Sequence, residues 1–144
     1  MRNFKKVLAL VMVFALSLSI FASAVGFTDA NDINENYQDD VNMLVELGVL
    51  GGYPDGTFRP EDKITRAEFA KMAYVLKYGS DDNGSLFAGQ TSSFTDVEGN
   101  GNVTWAKGYI NYCENQGIVS GIGNNKFNPN GNVTVAEAAK MLLV

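Results

Sequence analysis

The stretch Ile64-Thr65-Arg66-Ala67-Glu68 returns 69 positions later as Val133-Thr134-Val135-Ala136-Glu137. A tandem repeat of this size constrains a chain strongly, because each unit buries its apolar face only against a neighbouring unit. Sliding residues 48–72 over 117–141 gives ten identities in 25: Gly48, Gly52, Phe58, Pro60, Thr65, Ala67, Glu68, Ala70, Lys71 and Met72. Unrelated segments would share about one or two. Upstream, Phe27-Thr28-Asp29 recurs as Phe94-Thr95-Asp96 at an offset of 67, so the second copy is two residues shorter near its start. The units are assigned to residues 25–78 and 94–144. The polar, glycine-rich stretch 79–93 between them reads as a linker or long surface loop. The second unit stops inside its last helix, at Met141-Leu142-Leu143-Val144, as a truncated copy would.

Residues 1–24 read as a signal peptide. Three basic side chains (Arg2, Lys5, Lys6) precede an apolar run from Val7 to Ile20, and Ala22-Ser23-Ala24 supplies a small-residue cleavage site. The run is short for a membrane span, which takes about 20 residues. The leader holds three of the 11 basic residues and none of the 16 acidic ones, so the mature chain carries a net charge near −8. That surface disfavours nucleic acid and, after cleavage, anionic membranes. Cys113 is the one cysteine, so no intrachain disulfide forms in an oxidising destination, and its helical position beside Ile110 suits an inert core thiol. The chain has no histidine, the commonest general base and metal ligand. Asp81-Asp82-Asn83 lacks the alternating ligands and distal glutamate of a calcium loop, and reads as solvated linker. No metal, cofactor or catalytic residue is predicted.

Periodicity points to helices. Tyr37, Val41, Leu44, Val45 and Gly48 describe an amphipathic helix over about 37–47, stopped by glycine. The matching stripe in the second unit is Ala106, Ile110 and Cys113, with Trp105, Tyr109 and Tyr112 alongside. That aromatic row serves either packing or stacking on a sugar, packing being the commoner use. Gly51-Gly52-Tyr53-Pro54-Asp55-Gly56-Thr57-Phe58-Arg59-Pro60 is a run of turns, which Phe58 and Pro60, and in the second unit Phe127 and Pro129, pin to the core.

The repeated pentapeptide opens a helix in each unit. Thr65 with Glu68, and Thr134 with Glu137, form capping boxes, and Ile64 with Phe69 forms a hydrophobic staple. Arg66 is unexplained by stability, since a cation at the first helical position opposes the helix dipole. Two readings stand: a guanidinium beside free N–H groups as an anion site, or an ion pair with Glu61 or Asp62. Val135 replaces Arg66 in the second unit, keeping the cap and losing the charge, and Lys126 is a candidate replacement cation.

The order Phe-Thr-Asp, amphipathic helix, Gly-Val-Leu-Gly-Gly-Tyr-Pro-Asp-Gly-Thr-Phe-Arg-Pro and Ile-Thr-Arg-Ala-Glu resembles the S-layer homology module, strongly over 27–78 and more weakly over 94–144. The resemblance implies an all-α fold of tandem helix-loop-helix repeats, part of a pseudo-threefold spindle with ligand grooves between prongs. It implies noncatalytic anchoring to the wall of a Gram-positive bacterium through secondary cell-wall polysaccharide, often pyruvylated. The family's motif arginine, which contacts the anionic sugar, falls on Arg66, so the resemblance implies that Arg66 binds the polysaccharide, with the groove-lining loop at Gly52, Tyr53 and Asp55. Val135 puts the second site in question, and two units stand where three are usual. The alternatives are the targeting end of a longer secreted glycoside hydrolase or other exoenzyme, and a surface-layer unit that associates with copies of itself or with a third module.

Overall fold

The computed structural model describes residues 26–143; the leader assigned to 1–24 lies outside the described residues. Five α-helices are present among them: α1 Gln38–Glu46, α2 Arg66–Tyr78, α3 Ser85–Ala88, α4 Lys107–Asn115 and α5 Val135–Leu142. Short 3-10 turns lead into α1 (Glu35–Tyr37) and α4 (Gly101–Ala106). Among the described residues, extended pairing is limited to two isolated bridges, Thr65 with Asn132 and Gly123 with Lys126. No described helix is long and apolar enough to cross a membrane. The fold is therefore all-α, as the periodicity predicts.

Each unit is a helix, a turn-rich loop and a second helix, and the loop is fastened to the start of its own unit. The Asp29 carboxylate accepts from the Phe58 and Arg59 N–H groups at 2.7 and 2.8 Å, and Asp96 accepts from Phe127 and Asn128 at 2.9 and 2.8 Å. These bonds to the Phe58 and Arg59 amides, outweighing partial desolvation, hold the Asp29 carboxyl below the usual range. The Phe27 ring tilts against Phe58 at 5.2 Å, as Phe94 does against Phe127 at 5.4 Å. The repeated Phe-Thr-Asp is thus the clasp of the loop, a role its sequence spacing does not reveal. Gly52 sits under this clasp at φ +53°, where a Cβ would lie 2.3 Å from the Phe27 ring and 2.8 Å from the Thr57 carbonyl.

The core lies between the units. Ala67, Ala70 and Ala73 keep one face of α2 narrow, so α4 and the 3-10 turn before it pack closely, with Ala106 of the turn and Ile110 and Cys113 of α4 buried. The Cys113 thiol donates to the Ala70 carbonyl at 3.3 Å, and burial pushes it up to about 12, as expected of an inert core thiol.

The 79–93 stretch, read as a linker or loop, contains α3 and packs on α4. Asp82 accepts from the Tyr74 hydroxyl at 2.6 Å and from the Gly84 N–H at 2.9 Å. Asp81 accepts from the Tyr109 hydroxyl at 2.6 Å and pairs with Lys71 at 2.8 Å. These carboxylates therefore satisfy buried tyrosines. Tyr109 and Tyr112 join Tyr74, Tyr78 and Phe87 in one ring cluster, with Tyr74 stacked on Tyr78 and edge-on contacts of Tyr74–Tyr112 at 4.8 Å and Phe87–Tyr112 at 5.1 Å. Trp105, 48% exposed, meets the cluster only at its edge, 6.3 Å from Tyr109, so the aromatic row runs from core to surface.

Where α3 crosses α4, a Cβ on Gly108 would lie 2.0 Å from the Gly84 carbonyl oxygen. Gly108→Ala is expected to cost roughly 1–3 kcal/mol in urea unfolding and to displace α3, because the obstruction is backbone.

Candidate functional site

Two grooves occupy equivalent places in the two units, and one arginine makes them unequal. The first, about 570 Å³, lies beside the 49–60 loop and α2 and takes in Gly52, Tyr53, Arg59, Glu68, Lys71 and, from the second unit, Trp105. The second, about 90 Å³, is lined by Ser120, Gly121, Glu137, Lys140 and, from the first unit, Arg66.

Arg66 is 3% exposed. Its Nε donates to the Phe127 carbonyl at 2.8 Å, one terminal nitrogen donates to the Ser120 carbonyl at 2.9 Å, and the other pairs with Glu137. The guanidinium also lies 4.6 Å from the centre of the Phe127 ring. The ion-pair expectation is thereby corrected: the partner is Glu137 of the other unit, neither Glu61 nor Asp62. The free N–H groups expected beside it are also taken, since the Arg66 N–H donates to Gly131 O at 2.8 Å and the Ala67 N–H to Pro129 O at 3.0 Å. Val133 N–H returns a bond to Ile64 O at 3.0 Å. The head of α2 is plugged into the second unit, because desolvating its donors and its cation requires partners that only the neighbouring loop supplies.

Both capping boxes are formed. The Thr65 and Thr134 hydroxyls accept from the N–H groups of Glu68 and Glu137, each at 3.2 Å, and the carboxylates return to the threonine N–H groups at 2.8 and 2.9 Å. Phe69 of the expected staple is buried, while Ile64 remains 40% exposed.

Of the other expected site residues, Gly52 and Tyr53 line the first groove, and Tyr53 donates to Glu68 at 3.3 Å. Asp55 stands outside the groove wall, accepting from the Thr57 hydroxyl and pairing with Arg59, each at 2.6 Å. The Thr57 hydroxyl, then Arg59, draw its carboxyl down to about 2. Arg59 in turn lies over the Tyr53 ring at 4.2 Å. Sequence reasoning left out Trp105, Arg59 and Lys71 as members of one groove. Trp105 had surfaced only within an aromatic row, and the repeat itself says nothing about which loop a second-unit residue reaches.

The molecule is thus a repeat protein of interlocked helix-loop-helix units. The sequence profile of the S-layer homology domain matches residues 26–70 and 93–139, and the chain belongs to that family. It is 33% identical to "Cell surface protein" of Thermoanaerobacter kivui, over 99% of this chain and 19% of that protein. It is 31% identical to "Middle cell wall protein" of Brevibacillus brevis, over 96% of this chain and 13% of the relative. It is 34% identical to "Cellulosome-anchoring protein" of Acetivibrio thermocellus, over 71% of this chain and 22% of the relative. The chain spans roughly a fifth or less of the length of these curated relatives.

Arg66→Ala is expected to lower the stability of the whole chain by roughly 2–4 kcal/mol, since it strands two carbonyls and a carboxylate at the interface. Arg66→Lys recovers little, because one ammonium cannot serve three separated acceptors. The Glu137 carboxyl is held below its usual 4.5 by the Thr134 N–H, then by the Thr134 hydroxyl and more weakly by Arg66. A carboxyl depressed in the folded state stabilises fully above its unfolded value and loses that contribution as pH falls through the folded value. Urea midpoints should therefore fall below about pH 4.5, and Glu137→Gln should flatten that dependence.

Proposed function

We propose that these residues attach an exported protein to the bacterial cell surface, without catalysis, by binding an anionic secondary cell-wall polysaccharide in the first groove. The observation that carries this reading is the groove's wall, where Tyr53 of one unit and Trp105 of the other face a 570 Å³ space with Arg59 and Lys71. Aromatic faces suit the apolar side of a sugar ring, and a guanidinium fork suits a carboxylate such as that of a pyruvyl acetal. Gly52 keeps backbone within reach of a ligand, and Asp55 orients Arg59 through their 2.6 Å pair. Arg66 acts one step back, by locking the units so that Trp105 stays beside the first unit's loop. The names of the relatives, cell-surface, cell-wall and anchoring proteins, support attachment at a surface.

The short share of each relative that the chain covers favours a wider reading, in which these units are the attachment part of a longer surface protein or exoenzyme. The polymer and the cargo are then separate questions, and the first can be answered with this chain alone.

The test is co-sedimentation of the mature chain with purified Gram-positive cell walls, with and without extraction of the secondary polymer. Binding should disappear on extraction and weaken with salt. Trp105→Ala and Tyr53→Ala should each weaken it by up to about tenfold while the helical circular dichroism is retained. Undiminished pelleting on stripped walls would sink the polysaccharide reading.

A further inference from the structure

Among the described residues, two cations line the first groove, and each is held by an acid outside its wall. Arg59 is tied within its own loop, one terminal nitrogen to Asp55 at 2.6 Å and its Nε to the Thr57 hydroxyl at 3.0 Å. Lys71 is tied from elsewhere. Its ammonium pairs at 2.8 Å with Asp81, which belongs to the 79–93 stretch and to neither repeat unit. Asp81 is itself fixed, because its other oxygen accepts from the Tyr109 hydroxyl at 2.6 Å and from the Asn83 N–H at 3.0 Å.

Tyr109 extends the arrangement to Trp105. Its buried ring lies 5.7 Å from the Lys71 nitrogen and 6.3 Å from the Trp105 ring. Asp81 therefore stands behind both a cation of the first unit and a surface ring of the second. The second unit supplies a comparison. Its equivalent lysine, Lys140, lines the small groove, is exposed, and reaches the Ser120 hydroxyl at 3.4 Å. Gly51 stands where Ser120 does, so the first unit offers Lys71 no such hydroxyl, and Asp81 takes its place.

We propose that Asp81 is a positioning residue of the first groove, holding the Lys71 ammonium against Tyr109 and beside Trp105. An acidic group is thereby read at a fixed distance from a sugar ring stacked on the tryptophan. The inference rests on the saccharide reading of the groove and adds to it a residue outside both repeats. A lysine left free swings its charge on a four-carbon stem and attracts an anion wherever it lies. A tethered one keeps two of its three N–H donors for a ligand, and favours the polymer whose acid falls where they point. The two side chains are 32% and 25% exposed, so the pair adds little to stability and acts through direction.

Asp81→Asn isolates the pairing, since its amide oxygen still accepts from Tyr109 and Asn83. Labelling with acetic anhydride, without any polymer, reads the tether. Lys71 should react roughly threefold faster in Asp81→Asn than in wild type, the scale of a partly exposed ion pair, with Lys140 as the unchanged reference. Equal rates would overturn the proposal and leave the saccharide reading untouched. Co-sedimentation then compares purified Gram-positive walls before and after carbodiimide amidation of their carboxyl groups. Asp81→Asn should narrow the mature chain's preference for untreated walls by roughly three- to tenfold. In a Lys71→Ala background the same substitution should change nothing, which separates positioning from a general loss of structure. A loss that persists without Lys71, or that falls equally on both kinds of wall, would also overturn it. A wild-type chain that pellets equally with both would overturn the acid reading of the groove and this proposal together.

Discussion

Arg66 fixes the arrangement of everything around it. A guanidinium at the head of a helix is poorly placed within its own unit, where dipole and charge oppose each other. It is satisfied by the next unit, whose loop turns two carbonyls and a capping glutamate toward it. The two helix-head N–H groups beside it find carbonyls in the same loop. Buried donors without partners cost a few kcal/mol, so the units gain this arrangement together or not at all. The hydrophobic contact of α2 with α4 then falls into register behind the polar lock.

Each unit contributes two different faces to such a lock, a helix head that donates and a loop that accepts. Between the two described units, the head of α2 is the donor face and the second unit's loop and helix head the acceptor face. The first unit's equivalents of those acceptors, Gly51, Phe58 and Glu68, line the larger groove, and the head of α5 carries the exposed Val135. The presence of Arg66 in one place and not the other accounts for Phe58 being less buried than Phe127 and for one groove being wide and the other nearly closed.

Much of this was legible in the residues. The helices, their glycine stops and both capping boxes follow from spacing, because they depend on neighbours three or four residues away. Gly52 and Tyr53 were nominated for a groove that they do line. The role of Phe-Thr-Asp escaped, because its partners Phe58 and Arg59 lie about thirty residues on, beyond any local pattern. The 79–93 stretch looked like solvent-exposed linker, since its aspartates read as solvated until Tyr74, Tyr109 and Lys71 are seen to converge on them.

By itself, the sequence determined that the chain is a helical tandem repeat of S-layer homology units and where its two box-capped helices begin. These are matters of periodicity and capping, written in short-range chemistry. Only the tertiary structure decided which groups Arg66 meets. Sequence placed it on a helix head with an anion or a nearby acid as its partner, and the partner proved to be Glu137, 71 residues away across the interface. A charged side chain's partner is set by where the chain returns in space, and in a repeat protein that is fixed by how units stack.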